Sequence, residues 1–64
     1  MKRLRMLHTL KLMGTFTVFH KGITYDAIPA TNQPLWRERE LYFVQKRNRE
    51  SMLVSLVDGD ANLV

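Results

Sequence analysis

Apolar residues in this sequence come in short runs of β-forming residues, and turn-forming residues interrupt them at intervals of about 8–12 positions. Four of these runs occupy residues 15–19, 23–28, 41–44 and 52–57. The spacing therefore predicts an all-β (mainly β) protein, built as a small five-stranded barrel or an antiparallel meander.

The first apolar segment is ambiguous between strand and helix. Leu4, Met6, Leu10 and Leu12 recur at even spacing, which is the period of a half-buried strand. Leucines and methionines that step by three positions over residues 7–13 fit a helix instead. Residues 3–12 are accordingly open to either structure.

A hairpin is predicted from the two runs that follow. Thr15–Phe19 and Ile23–Ile28 consist mostly of β-forming residues, and His20-Lys21-Gly22 separates them. Gly22 can adopt the positive φ that a tight turn requires. The two runs are therefore expected to pair with each other.

The residues between and after the central strands read as turns. Pro29–Pro34 is expected to form a loop, because proline cannot join a central ladder. One short helical turn near 34–40, or the charged start of a strand at Trp36–Glu40, would follow it. Asp58-Gly59-Asp60 predicts a tight turn, and Ala61–Val64 reads as a frayed tail or a short final strand.

Length and cysteine content bound the architecture. The chain has 64 residues and no cysteine, so residues 1–64 are expected to form one small domain without a disulfide. Lack of cysteine suits a reducing cytoplasm. No apolar stretch approaches the ~18 residues of a membrane-spanning helix, and the first apolar run is too interrupted for a signal peptide. A cytoplasmic domain with no membrane association is expected.

Residues for catalysis or metal binding are sparse. The serines are Ser51 and Ser55, and the histidines are His8 and His20, which stand twelve positions apart. None lies in a nucleophile or metal-ligand spacing, so no enzyme activity and no catalytic, cofactor or metal site is predicted.

The tail resembles a calcium loop in part. Asp58, Asp60 and Asn62 give its D-x-D-x-N start, but Leu63 stands where that loop requires glycine. A plain turn is the better interpretation.

Charge points to an anionic partner. The net charge is +4; residues 1–11 contain four basic residues and no acid, and residues 36–50 contain five basic and three acidic residues. A positive field of this kind favours nucleic acid or an acidic protein face. The candidate nucleic-acid-binding residues are Lys2, Arg3, Arg5, Lys46, Arg47 and Arg49.

Interleaved acids weaken the nucleic-acid interpretation. Arg37-Glu38-Arg39-Glu40 alternates in sign, and Glu50 interrupts the second basic cluster. Such a mixture is more typical of a protein-binding rim than of a phosphate-binding stripe. Most of the six aromatic residues are expected in the core. Trp36 is expected either as an exposed anchor or as a cap on the open end of the barrel. The candidate partner-binding residues are Trp36, Arg37, Arg39, Lys46, Arg47 and Arg49.

The stretch Phe19-His20-Lys21-Gly22-Ile23-Thr24-Tyr25-Asp26-Ala27 resembles a hairpin pattern of small SH3-like β-barrel proteins of phages and bacteria. Tyr42-Phe43-Val44 and Leu53-Val54-Ser55-Leu56 occupy the places of two later strands in that pattern, so the resemblance covers roughly residues 15–57. It implies a five-stranded SH3-like barrel and a short accessory protein, often phage-encoded, that binds a host component. The pattern is structural and carries over no functional residue.

The small size, the mixed rim charges and Trp36 predict a small non-catalytic binding protein without a cofactor that inhibits or modulates another protein. The resemblance implies a phage-type accessory protein whose target is a host protein in the host cytoplasm. A basic RNA- or DNA-binding module is the first alternative. A structural subunit or homo-oligomer, in which Met52–Val64 adds a strand to a neighbour, is the second.

Overall fold

A computed structural model describes residues 2–47 and 49–64, and in that part of the chain all regular structure is β-strand. The seven strands are β1 (Lys2–Met6), β2 (Leu10–Lys11), β3 (Val18–Phe19), β4 (Thr24–Pro29), β5 (Leu41–Gln45), β6 (Ser51–Ser55) and β7 (Ala61–Leu63). Five of them form one curled antiparallel sheet in the order β6-β5-β4-β1-β7, which makes a half-barrel. The other two, β2 and β3, form a separate small sheet. The all-β prediction is confirmed, and the fold is consistent with a small barrel or a meander.

The core lies on the inner face of the curled sheet. Every strand of the large sheet contributes one or two buried side chains, and β3 adds Phe19, which is fully buried. The core cluster consists of Leu4, Met6, Phe19, Ala27, Val44, Val54 and Ala61. The ring of Phe19 packs edge-on against Tyr25, with 5.0 Å between the ring centroids. Phe19 therefore joins the small sheet to the large one.

The ambiguous first segment is a strand, and the helical alternative is wrong. Leu4 and Met6 are buried in β1 while Arg3 and Arg5 are exposed, as the even spacing predicts. The strand stops at Met6, and the chain resumes extended structure only at β2. The alternation therefore predicts correctly which side chains face the core, but it predicts one continuous strand where the structure has two, β1 and β2.

The predicted hairpin between Thr15–Phe19 and Ile23–Ile28 is wrong in its pairing. β3 pairs with β2, and β4 pairs with β1 and β5. Gly22 does form the expected turn: its φ is 84°, and the Ile23 amide donates to the His20 carbonyl at 3.2 Å. The Gly22 amide, however, donates to the Met6 carbonyl at 2.8 Å, which directs the following strand against β1. Residues 7–22 thus connect β1 to its partner β4 and contain β2 and β3.

Pro29 belongs to a strand, which corrects its assignment to the loop. It is the last residue of β4 and stands opposite Tyr42. The Ala30 amide donates to the Leu41 carbonyl at 3.0 Å, so Pro29 and Tyr42 form a non-hydrogen-bonded pair. The missing amide of Pro29 therefore costs this ladder no hydrogen bond.

The charged segment before β5 is a series of turns, and its interpretation as the start of a strand is wrong. The helical turn expected near 34–40 amounts to one hydrogen bond of α-helical spacing, from the Arg39 amide to the Leu35 carbonyl at 2.9 Å. In a strand, the alternating charges of residues 37–40 would place both arginines on one face and both glutamates on the other, and this arrangement is absent from a series of turns.

The later elements agree with the sequence. Leu41–Val44 lies in β5, residues 52–55 lie in β6, and the Gly59 turn connects β6 to β7. The tail forms the short final strand rather than a frayed end.

A comparison of two phenylalanines tests this account of the core. We expect Phe19→Ala to lower the free energy of unfolding by about 3–5 kcal/mol, because it opens a cavity in the core. The exposed Phe16, which is 98% accessible, serves as the matched control, and Phe16→Ala should change stability by no more than about 0.5 kcal/mol. Urea denaturation measures both, and Phe19→Leu keeps the series measurable if the alanine variant does not fold. Equal effects at the two positions would contradict the assignment of Phe19 to the core.

Candidate partner-binding surface

The structure separates the predicted partner-binding residues into two groups. Trp36, Arg37 and Arg39 lie in the turns before β5, whereas Lys46, Arg47 and Arg49 lie in the loop after it. β5 has five residues, so the two groups are separated by roughly 16 Å of strand at ~3.3 Å per residue. They do not form one contiguous patch.

The turns before β5 hold Trp36 half-buried beside a cation. The guanidinium carbon of Arg37 lies 5.1 Å from the centroid of the Trp36 ring, which is within the range of a cation–π contact. Leu35 has a φ of 62° and an exposed side chain. A bulky residue in this conformation is strained, and such strain concentrates at functional loops.

Arg39 is committed to a contact within the fold. Its guanidinium donates to both oxygens of the Asp58 carboxylate, at 2.9 and 2.8 Å. The backbone carbonyl of Arg39 accepts a hydrogen bond from the Ser55 hydroxyl at 2.8 Å. Arg39 therefore connects the turns before β5 to the turn between β6 and β7, and these contacts fix the position of the turns before β5.

Three of the predicted nucleic-acid-binding residues converge on one groove. Arg3 from β1 meets Lys46 and Arg47 after β5 at an open groove of about 470 Å³. The remaining lining residues are Thr24, Tyr25, Asp26 and Gln45. The Asp26 carboxylate lies 3.5 Å from Nε of Arg3, so one acid partly neutralises the three cations. We name this feature the basic groove.

The other three predicted residues do not line the basic groove. Arg5 lies two positions beyond Arg3 on the same face of β1, and Lys2 projects to the opposite face. Arg49 is exposed in the loop after β5 and has a φ of 69°. Only half of the residues in the two basic clusters of the sequence therefore meet at the basic groove.

An apolar row crosses the outer face of the large sheet. Ile28, Phe43 and Leu53 stand directly opposite one another on β4, β5 and β6, so their side chains share one face. Ile28 and Leu53 are exposed, and Phe43 is half-buried. The next row on this face contains Arg3 and Asp26. The row thus presents an apolar strip with a charged border.

The sequence interpretation missed the most exposed aromatic residue. Phe16 is 98% accessible and Met13 is 89% accessible, and both lie at the tip of the β2–β3 hairpin. The tip, residues 12–17, turns at Gly14, whose φ is 80°. Met13 directly before this glycine and Phe16 two residues after it are the signal in the sequence, but the β-forming run that contains Phe16 predicts a strand there.

The polar residues considered for catalysis or metal binding have other surroundings. The Ser55 hydroxyl accepts a hydrogen bond from the Asp58 amide at 3.2 Å, and the Asp60 carboxylate accepts one from the Ser55 amide at 2.9 Å. His8 and His20 are exposed. Across residues 2–47 and 49–64, no group of three potential metal-ligating side chains comes together. Nor do those residues contain a helix long and apolar enough to cross a membrane.

Comparison with known proteins identifies no relative. No protein family, no curated protein and no solved structure matches this chain. Its function is therefore inferred from its own surface chemistry.

A double-mutant cycle tests the role of Arg39. Arg39 and Asp58 are both about half exposed, so we expect a coupling of at most about 1 kcal/mol between Arg39→Ala and Asp58→Ala. The cycle is measured by urea denaturation of the wild type, both single variants and the double variant. Arg37→Ala, which removes a neighbouring exposed arginine, should show no coupling to Asp58→Ala. Equal coupling for Arg37 and Arg39 would contradict the specific role of Arg39.

Proposed function

We propose that this protein is a small non-catalytic binding protein that binds another protein and inhibits or modulates it. The observation that carries the proposal is the number of apolar side chains left outside the fold. Nine large hydrophobic side chains are exposed in the described residues, whereas three of the nine buried hydrophobic residues are alanines. Exposed apolar patches of this kind mark interaction surfaces.

Four of the nine exposed apolar side chains lie in two groups, whereas exposed apolar residues on an ordinary protein surface are scattered singly. Met13 and Phe16 share the hairpin tip, and Ile28, Phe43 and Leu53 share the apolar row. Protein interfaces combine such apolar groups with a polar border. The grouping favours a protein as the partner.

Ion pairing within the fold also favours a protein partner over nucleic acid. Arg3 lies beside Asp26, and Arg39 binds Asp58 through two hydrogen bonds. A phosphate would have to displace or share these carboxylates. The resemblance to small phage and bacterial accessory proteins supports a host protein as the target, and the lack of cysteine suits a cytoplasmic site of action.

Recovery of a partner after nuclease treatment tests the proposal. The tagged protein is expected to retain one defined protein at high salt after nuclease digestion, because apolar contacts are screened little by salt. The double variant Lys46→Gln/Arg47→Gln alters the basic groove and should retain that protein. Once the partner is identified, adding this protein to an activity assay of the purified partner measures inhibition or modulation. Complete loss of the bound material to nuclease would contradict a protein partner.

A basic RNA- or DNA-binding module is the second candidate, and the convergence of Arg3, Lys46 and Arg47 on the basic groove favours it. For single strands, the logarithm of the binding constant falls against the logarithm of the salt concentration with a slope of about −0.7 per phosphate contact. Three cations therefore predict about 20-fold weaker single-strand binding for a fourfold rise in salt. Arg47→Gln should reduce that slope by about 0.7, and Arg37→Gln, beyond the other end of β5, should leave it unchanged. Fluorescence anisotropy with a labelled oligonucleotide measures the slope, and a flat salt response would exclude this candidate.

A further inference from the structure

We propose that the hairpin tip, residues 12–17, is the anchor that inserts into an apolar pocket of the partner protein, and that Asp or Glu carboxylates border this pocket. The inference rests on the proposed function and specifies the anchor and the chemistry of its target. It concerns Met13 and Phe16, neither of which packs into the core of this fold.

Exposure is the first argument. Phe16 is 98% accessible and Met13 is 89% accessible, so both side chains lie almost entirely in solvent. Phe and Met are enriched in protein interfaces relative to the rest of the surface. An aromatic side chain can bury 150–250 Å² in a partner, which makes Phe16 the larger of the two anchors.

Local order is the second argument. The Leu12 amide donates to the Thr17 carbonyl at 2.9 Å, and the Thr15 amide and hydroxyl both donate to the Leu12 carbonyl, at 3.2 and 2.8 Å. The Thr15 hydroxyl also accepts a hydrogen bond from the Thr17 amide at 3.1 Å. These bonds fix the tip with its apolar side chains outward. Such preorganisation reduces the conformational entropy lost on binding.

The base of the tip is attached to the body of the protein. Thr17 is buried, and its hydroxyl donates a hydrogen bond to the Glu50 carboxylate in the loop after β5. Two residues further along, Phe19 is fixed in the core. The tip is therefore held at a defined position relative to the large sheet, as a docking element requires.

Charge indicates what borders the complementary pocket. The ammonium group of Lys11 lies 6.0 Å from the centroid of the Phe16 ring. Lys21 follows the same hairpin, and no acidic residue precedes Asp26 in the sequence. The Glu50 carboxylate contacts the hairpin at its base, where it accepts the hydrogen bond from Thr17. A cation beside an exposed aromatic ring is complemented by carboxylates around an apolar pocket.

The same features favour a protein pocket over a lipid surface. Stable membrane anchoring takes a broad apolar face or two separate anchoring signals. The tip offers two apolar side chains on a short turn. Two side chains suit a close-fitting protein pocket, where contacts surround each of them and exclude water.

Site-specific photocrosslinking identifies what contacts the tip. A benzophenone amino acid replaces Phe16 in one sample and Val57, an exposed apolar residue in the turn after β6, in the control. In extract of the host cell we expect one protein to crosslink from position 16 and not from position 57. Its crosslinked peptide should border an apolar pocket that carries Asp or Glu.

Affinity measurements with that purified protein then test the contribution of each side chain. We expect Phe16→Ser to weaken binding by at least about 30-fold, as for a hot-spot residue. Met13→Ser should weaken it less, and Lys11→Glu should slow association, since a rim charge acts on the association rate. Val57→Ser is the control and should bind as the wild type does. All of these positions are exposed, and thermal unfolding of each variant checks its fold.

Three outcomes would overturn the inference. If Phe16→Ser retains full affinity for a partner that the wild type recovers, the tip is not the anchor and the proposed function still stands. If Phe16→Ser abolishes sedimentation with vesicles of phosphatidylcholine and phosphatidylserine, the tip binds lipid instead. If the folded wild type retains no protein at all after nuclease treatment, both the inference and the proposed function fail.

Discussion

The packing of Phe19 against the inner face of a curled sheet is the contact on which the rest of the structure depends. The fully buried side chains that the five strands contribute to the core cluster are all non-aromatic, and two of the seven core residues are Ala27 and Ala61. Phe19 is the largest fully buried side chain, and it comes from outside the large sheet. A 64-residue chain has little apolar surface to bury, so one missing ring leaves a large fraction of its core unfilled. The small sheet therefore contributes directly to the core through Phe19.

The same packing positions the surface that we propose binds a partner. The β2–β3 hairpin places Phe19 in the core and Phe16 in solvent, three residues apart. The ammonium group of Lys46 lies 5.4 Å from the centroid of the Phe19 ring, and Thr17 is bonded to Glu50. The hairpin base thus contacts the loop that supplies the basic groove. The same hairpin thus supplies a core residue and the tip that we propose binds a partner, so a substitution at its base is expected to affect both stability and the proposed binding.

The sequence predicts the local features of this fold better than its long-range pairing. Alternation identifies Leu4 and Met6 as inward-facing, and the turns at Gly22 and Gly59 follow from local backbone chemistry. Alternation does not state which strand lies alongside, so a hairpin between adjacent runs was expected where β4 in fact pairs with β1. The convergence of Arg3 with Lys46 and Arg47 could not be predicted for the same reason, because it depends on that pairing. The β-forming residues around Phe16 predict a strand at that position, whereas the structure places Phe16 in the turn before β3.

Net charge and surface charge lead to different conclusions about the partner. A net charge of +4 and two basic clusters suggest nucleic acid when the chain is considered linearly. In three dimensions the clusters combine at Arg3, Lys46 and Arg47 alone, and Asp26 lies among them. Long-range attraction survives this partial neutralisation, since it depends on the summed field rather than on any one pair. In the complex that we propose, the positive field would steer an acidic partner toward this surface, and the apolar side chains of the hairpin tip would determine how tightly it is held. On this view charge sets the rate of encounter and Phe16 sets the lifetime of the complex.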